Sequence, residues 1–562
     1  MTGGNQVRSG GAGQWDSEYD VVVAGFGCAG ACAAIEAADN GARVLVIDRF
    51  TGGGATRMSG GVIYAGGGSE VQRSAGFRDS PEKMYRYLSL ETGGGVDGPA
   101  LRAFCRSSID NLAWLGRLGV VIPKKFYRNK TTQPPGGYGL YFSGNEKHYT
   151  GGDPVARGHV PDGTGMSGKA LFQALKKGAL ERGVEVRYRH KLDRLITENG
   201  AVIGIEARAL RNNALANIVH AILFNLGLAS SPCRTLLRRF ENTFSESRLI
   251  RARGGIVICA GGFVYNRSMV AEHAAAYAGC MRLGTPGDDG SGIILGRSAG
   301  AAVASMDACA ASRFFCPPEA FASGVLVNRK GARFCDESLY GATLGRHISK
   351  QPGRLAHLIA DAKLHRRAGE QMKREERLSD SSIMRIISGE MNALIFRKAM
   401  AFMNRRVNRN KAASLPELEK KCGMPAGSLS ATVAKHNDRC TAGGKDEFGK
   451  SHQYMEAIDE PPYYAINCRL DNWLFPSPCF TLGGLKVNGL TSQVVRDSGA
   501  AIQGLYAAGR SAAGVCSRSY VSGLSLADCI FSGRNAGKSA AQAAGRKKPL
   551  KKSHALSGGK QR

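Results

Sequence analysis

Residues 19–48, YDVVVAGFGCAGACAAIEAADNGARVLVID, restrict the fold more than any other stretch of the 562-residue chain. The run DVVVAG is continuously apolar, as in a parallel strand covered on both faces. A turn carrying Gly25, Gly27 and Gly30 at G-x-G-x-x-G spacing follows, then small residues from Ala29 to Ala38 that suit a helix packed closely on a sheet. Gly41 ends that helix, and RVLVID reads as the next strand with Asp48 at its end. The first glycine permits a tight turn, the second lets the backbone approach a pyrophosphate, and the third lets helix and strand touch. The helix N-terminus favours the anion, and Asp48 stands where a carboxylate can hold a ribose hydroxyl. A glycine triplet alone is a weak signal. With a strand before it, a helix after it and an acid at the expected distance, it reads as a dinucleotide site.

The rest of the chain chooses between dinucleotides. A second glycine cluster, TGGGATRMSGGVIYAGGG, occupies 51–68, and a late strand and turn, GLYAAGR, occupies 504–510. A nicotinamide site has no evident need of either. An FAD held in extended form does, because separate loops cradle its two halves. Neither glycine cluster contains a histidine, so non-covalent FAD is expected. No metal site is expected.

At this length two domains are the default. The expected class is α/β, with a Rossmann-like FAD-binding domain built from both ends of the chain and a capping domain of α+β type inserted between them. The expected boundaries are a disordered N-terminus at 1–18, the first part of the FAD-binding domain at 19–270, the cap at 271–465, the second part at 466–545 and a disordered basic tail at 546–562. The cap segment is rich in charged, helix-forming sequence, above all from 355 to 411. An insert at about 208–250 interrupts the first part. It begins with an apolar helix, LANIVHAILFNLGLA, and continues as a basic one, before a buried strand at 254–263, GGIVICAGGF.

The net charge is +30. Much of it lies in the tail and in 208–253, where eight arginines face only Glu241 and Glu246. There is no aromatic-interleaved basic module, zinc-finger spacing or helix-turn-helix, so nucleic acid is not expected as a partner. An anionic membrane surface is the alternative attraction, through 215–229 and the basic segments. The 15 cysteines form no C-x-x-C pair and several sit in apolar runs, which fits reduced, buried thiols. The first 18 residues lack the apolar core of a signal peptide, and no apolar run reaches 18 residues. The expected location is the cytoplasm, with peripheral contact to the inner membrane face.

The motifs VVVAGFGCAGACAAIEAADNGARVLVID, GGGATRMSGG, ARGHVPDGTGMSG, GIVICAGGF, GVLVNRKGARFCDE, TLGGLKVN and GLYAAGR together cover most of 19–540. They resemble the FAD-dependent family of fumarate reductases and 3-ketosteroid dehydrogenases, which implies an active site between the flavin domain and its cap. On that resemblance Ala29 and Arg49 join the first cofactor loop, and Gly54, Ala55, Thr56, Ser59, Gly60 and Gly61 form the second. Ala260 and Gly261 follow the buried strand, Gly509 closes the last strand turn, and Ser525 and Leu526 meet the flavin pyrimidine edge through their backbone. Dicarboxylate reductases of the family carry a histidine and an arginine after the last AAG turn. Here Cys516 and Val521 stand in those places, with Arg518 close but out of register.

The segment CSRSYVSGLSLADCIFSGR, 516–534, supplies hydroxyls instead. Its Y-x-S-G-x-S-L resembles the subgroup that introduces the 4,5 double bond of 3-oxo-5α-steroids, which implies catalytic roles for Tyr520, Ser522 and, from the cap, Tyr340. LYFSGNEKHY at 140–149 is similar to steroid-dehydrogenase-like members and carries no assigned role. The chemistry agrees. Desaturation next to a ketone removes an α proton and a β hydride, and the ketone oxygen must be stabilised as an enolate, for which a Tyr hydroxyl and a backbone amide at a helix N-terminus suffice. Ser522 is a poor base, and a relay to Tyr340 requires neighbouring positive charge to lower that phenol. A steroid-like substrate would be held mainly by apolar burial, on the order of 400 Å², or roughly 10 kcal/mol before entropic losses. The residues do not specify the electron acceptor. They leave open a 1,2-dehydrogenase, a fumarate-type reductase and a flavin-retaining protein without turnover.

Overall fold

The computed structural model describes residues 7–9, 15–148, 153–163, 166–316, 318–378, 399–443 and 446–546. The opening unit forms as the sequence predicts: Ser17–Ala24 (β1), Cys28–Asp39 (α1) and Val44–Asp48 (β2). Glu185–Tyr188 (β3) pairs parallel to β2. His190–Glu198 (β4) and Ala201–Leu210 (β5) form an antiparallel ribbon, which Ser245–Ile258 (β6) joins after the helices Ala214–Ala229 (α2) and Ser231–Phe244 (α3). β6 then runs parallel to β1 and, on its other edge, to the late strand Ala501–Ala507, so the parallel centre reads β3, β2, β1, β6 and that late strand.

Alternation along β1 explains its unbroken apolar run. Val21 and Val23 pack with Ala31, Ala34 and Ile35 of α1 on one face, while Tyr19, Val22 and Ala24 pack with Ile205, Ile256 and Ile293 on the other. α1 is also covered by the final helix, Leu524–Arg546. Their backbones touch: a Cβ at Gly533 would come within 2.5 Å of the Ala29 carbonyl oxygen, and one at Gly537 within 2.1 Å of that of Ala33. Small residues on both helices make that contact, which anchors the start of the final helix beside the first glycine turn.

Three sequence expectations are revised. Within 1–18, Val7–Ser9 pairs parallel with Leu195–Thr197, because the outer edge of β4 offers a row of unpaired backbone groups. The other N-terminal residues before Trp15, and the tail from 547 onward, lie outside the described residues. The insert is shorter than 208–250: β5 and β6 stay paired out to Leu210 and Ser245, so the hairpin proper is 211–244. The segment read as helix-rich holds a four-stranded sheet, Val325–Asn328 (β7), Ala356–Ala360 (β8), Tyr463–Asn467 and the edge strand Arg409–Ala412, with β8 between β7 and Tyr463–Asn467. Ala356 to Ala360 is too short an apolar run to show against charged flanks. Leu326, Leu358 and Ile359 seat this sheet in a second core with Leu344, Leu364 and Leu418. Among the described residues no helix is long and apolar enough to cross a membrane.

Candidate active site

The carboxyl ends of β1 and β6 open into a continuous cavity of about 1790 Å³. Its floor at this end is glycine and backbone. Gly25, Gly27, Ala29, Ala260 and Gly261 line it from the strand ends; Gly54, Ala55, Thr56, Ser59, Gly60 and Gly61 line it from the second loop, and Ser525 and Leu526 from the final helix. α1 starts at Gly27 with no side-chain cap, and the Cys28 amide donates to Thr56 Oγ1 at 3.0 Å. An uncapped helix start beside glycines suits a pyrophosphate. At Gly25, φ is +104° and a Cβ would lie 2.3 Å from the Cys259 carbonyl oxygen, so no side chain fits there. An elongated dinucleotide fits these residues.

Gly30 and Gly509 do not line the cavity. A Cβ on Gly30 would fall 1.8 Å from the Gly25 carbonyl oxygen, and one on Gly509 would crowd Ala29 and Cys529 at 2.9 Å, so both work by close packing. Asp48 lines the cavity while accepting three backbone amides, those of Phe26 and Phe50 at 2.8 Å and of Gly52 at 3.2 Å. The Arg49 guanidinium is committed to Glu241 of α3 and to Asp289, each at 2.8 Å. Glu241 also bonds His220 of α2, and Phe50 packs on Phe224 of α2 at 4.6 Å between ring centres. Burial opposes the Glu241 charge, but Arg49 and His220 outweigh it and hold the carboxyl at about 2. Phe224, Leu228 and Ala229 reach the cavity wall, so the insert hairpin closes this end of the cleft.

At the other end the wall changes to aromatics and hydroxyls. Tyr520 and Tyr340 come within 6.4 Å of each other, with Phe480 edge-on to Tyr520 at 4.9 Å and Phe314 against Tyr340 at 6.2 Å. The Gly523 amide, just before the final helix, donates to the Tyr520 hydroxyl oxygen at 3.3 Å. The Ser522 and Ser312 hydroxyls lie near the Tyr340 phenol and favour its ionised form, against the larger effect of burial. Tyr141 donates to Ser522 Oγ at 3.1 Å, and the Tyr340 phenol lies near the same serine. Burial raises all three phenols: Tyr520 to about 12, Tyr340 and Tyr141 further. The lowered Tyr340 that the relay required is therefore not found: desolvation is the largest influence on it and raises it. Arg510 is the cation whose charge reaches Tyr520, and it is tied to Asp288 at 2.6 Å and lies over Phe480.

At Cys516 and Val521 the structure places a thiol and an apolar side chain. Val521 is fully buried against Gly144, and the Cys516 Sγ lies 3.5 Å from Asp528. Arg518 stays outside the cavity, half-exposed, 3.9 Å from Asp307.

Three contributors carry little sequence signal. Tyr141 sits on a two-residue strand, Leu140–Tyr141, too short for a period. Asp288, in the glycine-acid turn GDDG at 287–290, accepts from the Gly262 amide and Arg510 on one oxygen and the Thr285 amide on the other. Asn145 bridges the halves of the site. Its Oδ1 accepts the Tyr340 amide at 2.6 Å, and its Nδ2 donates to the buried Glu91 carboxylate at 3.0 Å, which also accepts from Ser519 at 3.1 Å. One buried carboxylate thus ties the segments that carry Tyr340 and Tyr520.

A glycine-floored dinucleotide groove joined to a neutral hydroxyl-and-aromatic chamber defines a flavoprotein oxidoreductase. The chain belongs to the FAD binding domain family, whose model matches residues 20–523, and FAD is its cofactor. It is 34% identical to 3-oxo-5-alpha-steroid 4-dehydrogenase from Comamonas testosteroni, over 88% of this chain and 93% of that protein. It superposes with a TM-score of 0.77 and 32% identity on the crystal structure of 3-ketosteroid-delta4-(5alpha)-dehydrogenase from Rhodococcus jostii RHA1 in complex with 4-androstene-3,17-dione, covering 94% of this chain and 98% of that one. It is 24% identical to fumarate reductase (cytochrome) from Shewanella frigidimarina, over 93% of this chain and 77% of that protein.

Proposed function

We propose that the protein desaturates a 3-oxo-5α-steroid across its 4,5 bond. The observation that carries this reading is the convergence of Tyr520, Tyr340 and Ser522 on one chamber with Phe314 and Phe480 in its wall, where the buried Tyr141 backs Ser522. The likeness to a 4-dehydrogenase supports it.

FAD, when bound, supplies the acceptor for the hydride from the carbon β to the ketone. The protein's residues manage the proton and the developing charge. The Tyr520 hydroxyl oxygen takes the Gly523 amide, so its own proton is free to donate to the ketone oxygen. One such donor is worth about 3–4 kcal/mol to an oxyanion. Ser522 Oγ takes the α proton as its own proton passes to Tyr340 or Tyr141. With both phenols raised by burial, the accepting phenolate is scarce at neutral pH, and proton removal is helped by alkali. Arg49, Gly30 and Gly509 act in this reading by shaping the cofactor groove, and the segment 271–465 acts as the cap that brings Tyr340 over it. The reading also places the enzyme where so apolar a substrate collects, at the inner face of a membrane.

The test is anaerobic mixing of the purified yellow protein with candidate substrates. A saturated 3-oxo-5α-steroid is expected to bleach the flavin absorbance and yield the 4-ene-3-one. Bleaching only by a 4-ene-3-one would instead indicate 1,2-desaturation, and fumarate reduction with a viologen dye would indicate a reductase.

A further inference from the structure

The hairpin 211–244 is bound to the rest of the protein by one side alone. On α2, His220 bonds Glu241, Phe224 packs on Phe50, and Gly227 is close-packed against Arg234 and Pro286. Leu215, Ile218, Ile222 and Leu226 recur at helical spacing on the opposite side, each more than half exposed. α2 has no Lys, Arg, Asp or Glu at all. An uncharged helix with a continuous aliphatic stripe in water is an unusual surface for a monomer.

Within 211–244 the exposed charges have one sign. The only carboxylate in 211–244 is Glu241, turned inward to Arg49. Arg238 and Arg239 on α3 are exposed and have no ion pair among the described residues. Arg238, Arg267 and Arg282 lie close enough to Arg234 to repel its charge. Arg234 itself is buried, donating to the Gly227 carbonyl through Nη1 while Nη2 has no partner. Guanidinium edges left without carboxylates suit phosphate oxygens.

We infer that this hairpin is a docking device for an anionic phospholipid surface, with the α2 stripe lying in the interface and the arginines of α3 and its neighbours on lipid phosphates. A second copy of the chain fits less well. Four half-exposed aliphatic side chains present on the order of 400 Å², about half of what a stable interface takes from one partner. A two-fold contact through this face would also bring the two sets of arginines together. An interfacial helix needs only such a narrow apolar side with cationic flanks.

Sedimentation of the FAD-loaded full chain with vesicles tests this, and because it needs no turnover it fails or succeeds independently of the steroid reading. Vesicles of phosphatidylglycerol mixed equally with phosphatidylcholine are expected to carry the protein down, and phosphatidylcholine alone to do so poorly. The double variant Ile218→Ser/Ile222→Ser is expected to lose binding at least about tenfold. Arg238→Glu/Arg239→Glu is expected to lose the preference for the anionic lipid. A chain ended at Arg546 is expected to bind as the full chain does. The two substituted proteins should keep the flavin spectrum, since Ile218, Ile222, Arg238 and Arg239 do not line the cavity. Binding unchanged in the isoleucine variant, or abolished by removing 547–562, would overturn the proposal. So would a wild-type dimer in lipid-free solution that the isoleucine variant converts to monomer, because the stripe would then be an interface between copies.

Discussion

At its glycine-lined end the cavity wall includes long stretches of backbone and two charges held by partners: Asp48 on three amides, Arg49 on Glu241 and Asp289. At its aromatic end the wall carries Tyr520, Tyr340, Phe314 and Phe480 with the Ser522 hydroxyl, which Tyr141 backs from behind. One end suits an anion: a helix start among glycines faces it, while Arg49 is already held by Glu241 and Asp289. The other end handles a neutral carbonyl whose charge is transient. Hydroxyls serve there because they can donate without adding a fixed charge that would trap product. The difference shows that this protein separates holding from reacting along a single groove.

The comparison breaks most completely at Gly30. Gly30→Val drives side-chain atoms into the Gly25 carbonyl and is expected to give a protein without flavin absorbance at 450 nm or so, whatever its catalytic residues; a yellow, soluble Gly30→Val variant would deny that close packing builds the groove. Tyr520→Phe should do the converse. Flavin binding is retained while turnover falls at least about a hundredfold, as for one lost oxyanion donor, and stopped-flow flavin reduction separates the two. Tyr141→Phe is the sharper probe of the reacting end. Turnover is expected to drop about ten- to a hundredfold, and the wild-type rise of kcat with pH, unplateaued below about pH 10, to become shallower. A kcat profile flat from pH 7 to about 10 would remove the phenols from proton transfer.

The smallest effect lies at the holding end. Glu241 has a folded value of about 2, below the ~4.3 of an unfolded glutamate. Its contribution to stability is therefore full above that unfolded value and is lost as pH falls toward the folded one. Thermal melts of the wild type should lose stability between about pH 5 and 3, and Glu241→Gln should start lower and depend on pH less over that window.

The glycine end was legible because its signal is local: Gly25, Gly27, Gly30 and Asp48 lie within one strand-turn-helix-strand unit. The pairing of Tyr520 with Ser522 was also visible, being two residues apart before a helix, but Tyr340 came into view only through resemblance. Glu91 was not legible, and the stretch with Tyr141 and Asn145 stood out only by resemblance, with no role attached. They join segments more than fifty residues apart, and a two-residue strand leaves no periodic trace. The strand Arg409–Ala412 was missed for a related reason: RNKA has no strand character of its own and is strand because Tyr463–Ile466 lies beside it. The sign of the phenol shifts was beyond the sequence altogether, since burial and neighbouring charge oppose each other and only the packed site sets which prevails.

The register of the β5–β6 ribbon has a bearing on how this chain was assembled. Leu210 stands opposite Ser245, and the Arg211 amide reaches the Phe244 carbonyl oxygen at 3.0 Å, so the two ends of the helical hairpin meet as neighbours. Such a doorway lets a segment enter or leave without shifting any strand behind it. A version spliced from 210 to 245 through a short turn would inherit an unaltered sheet, which makes the hairpin a portable module that design or descent can exchange.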